Sequence, residues 1–385
     1  MSLDLLDYPG GRPAVLPEGY PAPIVSHFVN ALLRRGHSVV LYTTSQGVES
    51  PAVIDQGRLV VCVAPRYRPR SAVSFFAQER QWLNSLMAQH PCDLVHAMWS
   101  YEFALAALDS GVPTVVHYHD HAWTILKHKR DAYRFLRWLL SAYVSTRAKH
   151  RVANSEYLKR AFGRHGRDMQ VIPNFLPVAT GVRDGGPTKR RKGCVVTVSD
   201  GFDGWKNVSM GLRAFGALRR RGLASEYHLV GHDMGPGEAA ESFARENALA
   251  DGVRFLGVVP YDRALAEIAT ATLMVHPALE ESFGMTILEA MAANTPVVAG
   301  CSSGNVPDLL DGGRCGYLCD VRNAAEVERT LAAALTDHAE TRRRCENAQQ
   351  RYLERYSEDR VIPELETYWE GILRTADAVI ERARA

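Results

Sequence analysis

Apolar residues along this chain recur in two alternating rhythms. Short unbroken runs bounded by turn residues give way to longer segments with a period near 3.6, an order that predicts repeated strand–helix–strand units. Runs over Arg12–Leu16, Ser38–Thr43, Leu59–Val63, Leu94–Ala97, Thr114–Tyr118 and Arg151–Asn154 read as strands. Helices lie between them over Pro23–Arg35, ended by Gly36, over Ser74–Gln89 and over Tyr101–Asp109. Continuous apolar strands separated by helices belong to parallel sheets covered on both faces. After Val171-Ile172-Pro173-Asn174 the rhythm stops. Thr180–Lys192, TGVRDGGPTKRRK, is glycine-rich, charged and aperiodic, and it reads as a linker over 179–192. A second series opens at Cys194–Ser199 and continues through Tyr227–Val230 and Val253–Phe255, and the last periodic segment, Pro363–Arg382, is a long helix. The pattern predicts an α/β chain of two Rossmann-like, doubly wound domains, at 1–178 and 193–362.

The most informative segment runs from Val275 to Gly300, VHPALEESFGMTILEAMAANTPVVAG. A buried strand, Thr272–His276, leads into a turn holding Glu281, Ser282, Phe283 and Gly284, and a helix starts where Gly284 lets the backbone approach a ligand closely. The N–H groups of such a helix start form an anion site. Glu281 lies in the turn and Glu289 about a turn and a half into the helix. Two separated carboxylates suit a ligand with hydroxyls on both sides of a phosphate; an ordinary strand–helix–strand unit with solvated acids is the alternative. Ile287, Leu288, Met291 and Ala292 are expected to face the core, and Thr295-Pro296 to stop the helix before the strand Val297–Ala299.

Composition narrows the classes. At 385 residues the chain exceeds what one core usually serves. A net charge of +2, with 23% charged and 46% hydrophobic residues, gives no global pull toward nucleic acid, so any basic patch is local. The seven cysteines are scattered and mostly apolar in context, which fits reduced thiols in a cytoplasmic protein. Cys315 and Cys319 lack a second ligand pair nearby and read as packing residues before zinc ligands. No apolar run is long enough to span a membrane and no leader pattern opens the chain, so neither spanning nor secretion is expected.

Two further loops carry candidate chemistry. Asp200-Gly201-Phe202-Asp203-Gly204-Trp205-Lys206-Asn207 follows a strand and precedes a helix; glycines beside a lysine at a helix start form a diphosphate cradle, with a plain solvated loop as the alternative. His117-Tyr118-His119-Asp120-His121 ends a strand in three imidazoles, which can donate, accept or bind metal. No third ligand with suitable spacing is evident, which weighs against metal.

The Val275–Gly300 segment closely resembles the donor-sugar signature of the retaining glycosyltransferases of family 4, the glycosyl transferases group 1 of GT-B fold. Glu281, seven residues and Glu289 frame Phe283-Gly284, and Glu289-Ala290-Met291 and Pro296-Val297-Val298 also match the family's pattern. The resemblance covers nearly the whole chain. It implies two domains facing a cleft, with 363–385 crossing back to the first, and transfer of a sugar with retention from a UDP- or GDP-linked donor. The acceptor would be a hydroxyl on a small molecule, a lipid-linked carrier or a glycan, and no cofactor is implied beyond the nucleoside diphosphate sugar as co-substrate. By alignment His119 contacts the transferred sugar, Asp120 orients it or caps the next helix, and His117 and His121 are structural. The resemblance gives Lys206 and the Gly284 helix start to the diphosphate, Glu281 to the sugar hydroxyls and Glu289 to ribose. Ser282 and Phe283 fall in the same donor-binding turn, and Gly231 and the backbone around Val259 line the nucleotide pocket.

The chain also departs from the family. Asp200 stands where an Arg is usual, and the Gly-Gly pair near the donor phosphates is reduced to Gly19 between prolines, with Gly10-Gly11 as the alternative counterpart. Asp308 replaces a Glu in Cys301–Asp311, whose Ser302, Ser303, Gly304 and Asn305 suit either sugar contacts or a turn with a helix N-cap. No Asp-x-Asp occurs, so catalysis by His119, Glu281 and Lys206 is expected to be metal-independent. An epimerase, a phosphorylase or a non-catalytic sugar-binding scaffold would share the architecture.

Lys127–Arg147, KHKRDAYRFLRWLLSAYVSTR, reads as one basic aromatic helix. Phe135, Leu136, Trp138, Leu139 and Tyr143 framed by Arg130, Arg134 and Arg137 suit a buried packing helix with snorkelling arginines, or a helix on an anionic membrane. The small net charge favours burial, and peripheral contact at the inner membrane face is the second reading.

Overall fold

The computed structural model describes residues 5–8, 22–66, 69–177, 190–202 and 204–384. The chain forms two compact units, Met1–Phe175 with Glu358–Ala385, and Leu176–Ser357.

In the first unit the chain runs through α1 (Pro23–Arg34), β1 (Val39–Ser45), β2 (Ala52–Asp55), β3 (Leu59–Pro65), α2 (Ala77–Gln89), β4 (Val95–Met98) and α3 (Glu102–Asp109). It continues through β5 (Thr114–Tyr118), α4 (Ala122–His128), α5 (Ala132–Arg147), β6 (His150–Ala153), α6 (Glu156–Ala161) and β7 (Gln170–Val171). Strands β1 and β3 pair in parallel, with β2 antiparallel on the edge, and β4 to β7 form a parallel sheet in chain order. β2 escapes sequence reading because it is only four residues long and alternates between half-buried and exposed at a sheet edge. The edges of β1 and β4 line a common cavity of about 510 Å³, bounded by consecutive residues of both strands, 38–43 and 94–99. The strand expected at Arg12–Leu16 and the glycines Gly10, Gly11 and Gly19 lie outside the described residues.

The second unit contains β8 (Arg191–Val198), α7 (Val208–Arg220), β9 (Glu226–Val230), α8 (Ala239–Glu246), β10 (Val253–Gly257), α9 (Tyr261–Thr270) and β11 (Ala271–His276). It ends with α10 (Met285–Ala292), β12 (Val297–Gly300), α11 (Val306–Leu309), β13 (Tyr317–Cys319), α12 (Ala324–Thr336) and α13 (His338–Arg355). The sheet order β10-β9-β8-β11-β12-β13 is parallel throughout and reverses direction between β8 and β11. In an open parallel sheet that switch point opens a crevice beyond the strands' carboxyl ends, which is where ligands bind. Arg191 and Lys192, expected in the linker, instead open β8, where Arg191 pairs in register with Ala271. Ile287, Leu288, Met291 and Ala292 are buried as expected, and each large one gains about 1.5–3 kcal/mol from leaving water. Cys315 and Cys319 are buried free thiols packed in the core.

The last helix, α14 (Glu358–Arg384), belongs to the first unit. It starts before the expected Pro363, because a proline early in a helix forfeits one N–H bond without preventing a preceding turn. Arg34 forks onto Glu358, and Arg35 forks onto Glu366 with both contacts under 2.8 Å, which ties α1 to α14. The single helix expected over Lys127–Arg147 is two helices. Lys129 is extended, and Asp131 caps α5 by accepting the Arg134 N–H at 2.9 Å, so the chain restarts rather than continues.

Candidate active site

The loops after β8 and β11 meet at the switch point. Asn207, held at φ 56° before α7, donates to the carbonyls of Pro277 at 3.0 Å and Val321 at 2.8 Å, and Leu279 N–H donates to Trp205 O at 2.8 Å. This stapling sets Lys206 Nζ 3.7 Å from Glu281 Oε2, with His276 Nε2 at 3.6 Å on the same oxygen. Burial alone would push the Glu281 carboxyl up; the His276 imidazole, the Lys206 charge and the Phe283 N–H overcome it and hold the group at about 2. Glu281 is therefore a fixed carboxylate at neutral pH.

The helix α10 begins beside it. Gly284 occupies its cap at φ 100°, a conformation that favours glycine, and no side chain caps the first turn. The opening N–H groups thus keep their polarity for an anion. Phe283, proposed from sequence as a donor contact, turns its ring into the core, edge-on to Tyr356 at 5.9 Å; its backbone serves Glu281 instead. Ser282 is half-buried in the same turn.

The following loop, 301–305, is committed to the protein's own backbone. Ser303 Oγ donates to Ala278 O at 2.6 Å, Asn305 Nδ2 to Phe283 O at 3.0 Å and Asn305 N–H to Glu281 O at 2.8 Å. Gly304, at φ 58°, passes so close that a Cβ would lie 2.2 Å from the Glu281 carbonyl. Of the two roles open to Ser303 and Asn305, the structure fills the turn-building one: they brace Glu281.

Glu289 sits deeper and is buried. Burial pushes its carboxyl up to about 7, opposed by the Tyr261 hydroxyl, which donates to Oε1 at 3.0 Å. Sequence reasoning missed Tyr261; its position directly after Val258-Val259-Pro260, at the start of α9, was the available signal. Gly231, at φ 132°, crosses the end of β8 where a Cβ would lie 1.7 Å from Ser199 O, and its N–H donates to Gly257 O at 2.8 Å. This draws the loops after β8, β9 and β10 together, with Val259 half-buried among them. Asp200 does not join Lys206: its carboxylate accepts from His232 Nδ1 at 2.8 Å in an exposed pair.

His119 belongs to the first unit. Burial, with neighbouring His96 adding, holds its imidazole down to about 3, so it is a neutral hydrogen-bonding group rather than an acid at physiological pH. Nε2 lies 3.0 Å from Met98 Sδ, a weak acceptor, and a hydrogen bond with Asn174 opposes the effect of burial. Asp120 neither orients His119 nor caps α4. It accepts the Tyr101 hydroxyl at 2.6 Å, because Tyr101, buried against Arg137, needs a partner for its O–H.

The neighbouring imidazoles form a chain of fixed tautomers. Trp369 Nε1, which can only donate, lies 3.1 Å from His96 Nδ1; His96 therefore carries its proton on Nε2 and donates to His117 Nδ1 at 3.1 Å. Burial keeps both rings neutral, with the Ile172 backbone opposing it at His117, so His117 holds its proton on Nε2.

Away from the switch point, Cys194, Glu226 and His228 bring metal-ligating atoms within 4.8 Å of one another. Glu226 is matched by Arg254, and His228 by Glu267, which itself pairs with Arg191. Two guanidinium groups already balance these acids, and the cluster is an ion-pair network of the sheet.

The chain is similar to known proteins in sequence and in fold. Residues 24–180 match the family model described as Glycosyltransferase Family 4, and residues 187–352 match Glycosyl transferases group 1. Curated relatives include N-acetyl-alpha-D-glucosaminyl L-malate synthase of Bacillus anthracis, 31% identical over 33% of this chain and 32% of that protein. D-inositol 3-phosphate glycosyltransferase of Salinispora arenicola is 35% identical over 42% of this chain and 38% of its own length. The match thus spans between 24% and 38% of the length of such curated relatives. Among solved structures, sucrose-phosphate synthase from Thermosynechococcus elongatus superposes with a TM-score of 0.72 at 18% identity, covering 93% of this chain and 92% of the other. Anabaena Alr3699/HepE in complex with UDP-glucose gives 0.68 at 18% identity, covering 94% and 98%. At such identities the superpositions speak for the fold. Together with the two family models, one on each half, they make this chain a member of the glycosyl transferases group 1, family 4, of GT-B fold.

Proposed function

We propose that this protein transfers a sugar from a nucleoside diphosphate sugar to a hydroxyl acceptor with retention of anomeric configuration. The observation that carries the reading is the Lys206–Glu281 pair, at 3.7 Å, beside the uncapped start of α10. An ammonium and a set of helix N–H groups are suited to a diphosphate, and fixed positive charge beside the leaving oxygens lowers the barrier most when it needs no rearrangement. In this reading Lys206 and the first turn of α10 hold the diphosphate and Glu281 accepts hydroxyls of the sugar. Glu289 accepts those of ribose, while backbone at Gly231 and Val259 lines the base. His119, neutral, hydrogen-bonds the transferred sugar. Asp200 makes its hydrogen bond to His232 and does not pair with Lys206. The relative solved with UDP-glucose favours a uridine donor for the first trials.

The positive charge comes from the protein's own groups, so turnover is expected to persist in a chelator. Seven free cysteines favour a reducing, cytoplasmic setting. Thermal shift against UDP, GDP, ADP and dTDP identifies the base, because a ligand at about a hundred times its Kd adds roughly 2.7 kcal/mol to the native state. With the donor identified, Lys206→Ala and Glu281→Ala should each abolish diphosphate release while remaining folded. Full activity in either variant would overturn the assignment.

A further inference from the structure

Helix α5 carries two apolar faces and its own core uses only one. Leu140, Ser141, Val144 and Ser145 point inward and are buried. Ala132, Phe135, Leu136, Leu139 and Tyr143, spaced as a second helical stripe, lie on the opposite side, with Phe135 46% and Tyr143 49% exposed. Trp123 on α4, 41% exposed, continues the ridge through Trp138, whose ring lies 5.3 Å from Trp123 and 5.6 Å from Phe135. The packing helix expected from sequence holds for the Leu140–Val144 face and for Trp138, half-buried against the core, whereas Phe135 and Tyr143 face outward.

Charge is concentrated at the same place. Residues 122–147 hold six Lys and Arg against the single acid Asp131, a net +5, so with +2 for the whole chain the remainder carries −3. Arg137 and Arg147 pair inward with Glu102 and Asp109, whereas Lys127, His128 and Arg130 stand exposed at the α4–α5 junction. Lys127 reaches over Trp123 at 5.6 Å from the ring centroid.

We propose that the outward face of α4 and α5 docks on an anionic lipid bilayer, with Trp123, Phe135 and Tyr143 entering the headgroup boundary and the 127–130 cations on anionic lipids. An amphipathic surface with aromatic apolar residues rimmed by Lys and Arg is the composition that lies in that interface. A second copy of the chain fits less well, because a twofold contact on this face would bury two copies of the same net-positive surface against each other. The low global charge does not oppose docking: screening confines the attraction to about 8 Å at physiological salt, so the exposed cations of the 127–130 junction act without the acids elsewhere on the chain.

The test is flotation of the full chain with vesicles of phosphatidylcholine alone or with phosphatidylglycerol, at low and high salt, a readout independent of sugar transfer. Wild type should float with the anionic vesicles and be released by salt. Lys127→Glu/Arg130→Glu should weaken binding at least about tenfold. Phe135→Ser/Tyr143→Ser should do likewise with an unchanged melting temperature, since both side chains are already half in water. Absence of flotation at low salt, or flotation equal in wild type and both double variants, would overturn the proposal. So would a concentration-dependent dimer that Phe135→Ser/Tyr143→Ser abolishes without change in vesicle binding.

Discussion

Glu289→Gln offers a test with a sign that intuition gets wrong: removing this acid should stabilise the unliganded protein at alkaline pH. The carboxyl is buried, and its pKa of about 7 in place of the ordinary 4.5 means that ionising it inside the fold costs about 3 kcal/mol more than ionising it in the unfolded chain. Below pH 4.5 both states are protonated and the full stability is present. As pH rises, the unfolded chain ionises first, and stability falls until the folded carboxyl ionises near 7; beyond that the loss is constant. Gln cannot ionise and does not follow this curve. Its amide can still accept the Tyr261 hydroxyl, but its NH₂ needs a new partner at a cost of roughly 1–3 kcal/mol. That cost is the same at every pH. Urea unfolding of both proteins at pH 4.5 and pH 8, with m checked for constancy, should therefore show the Gln variant gaining about 3 kcal/mol on wild type between the two conditions. The difference between the conditions carries the prediction. A gap that is equal at both pH values would refute a strained, half-ionised Glu289. Under the proposed function the same strain is relieved by ribose hydroxyls, so nucleotide binding near pH 6 should release more protons in wild type than in the variant.

Gly304→Ala should disturb the turn that carries Glu281, because its Cβ would meet the Glu281 carbonyl at 2.2 Å in a backbone conformation of φ 58°. A fall in melting temperature together with lost donor binding is expected, and an unchanged donor affinity would show that the turn does not position Glu281. Trp369→Phe removes the N–H that fixes His96 while keeping an aromatic ring, leaving a buried nitrogen without its donor at a cost of roughly 1–3 kcal/mol. Nitrogen-15 shifts of the histidines should report His96 and His117 protonated on Nε2 in wild type, and a mixed His96 tautomer in the variant.

Local pattern was enough for much of the fold. Parallel strands buried on both faces announce themselves as short apolar runs, so β5 and β11 emerge within a residue of their observed limits. The Glu281–Glu289 spacing and the Gly284 helix start are local too, because turn and helix geometry fix relative positions over about ten residues. Sequence could not decide what those residues meet. The bracing of Glu281 by Ser303 and Asn305, the staple from Asn207 and the hydroxyl of Tyr261 on Glu289 all join segments separate in sequence, and only packing brings them into contact. Protonation follows contact: Glu281 and Glu289 are the same residue type, yet one is held at about 2 by a lysine and a histidine and the other at about 7 by burial. The same limit explains α5. Periodicity reveals an apolar stripe but not which of two stripes the core will take, and that choice, made by the sheet and helices packed against Leu140 and Val144, is what leaves Phe135 and Tyr143 facing outward.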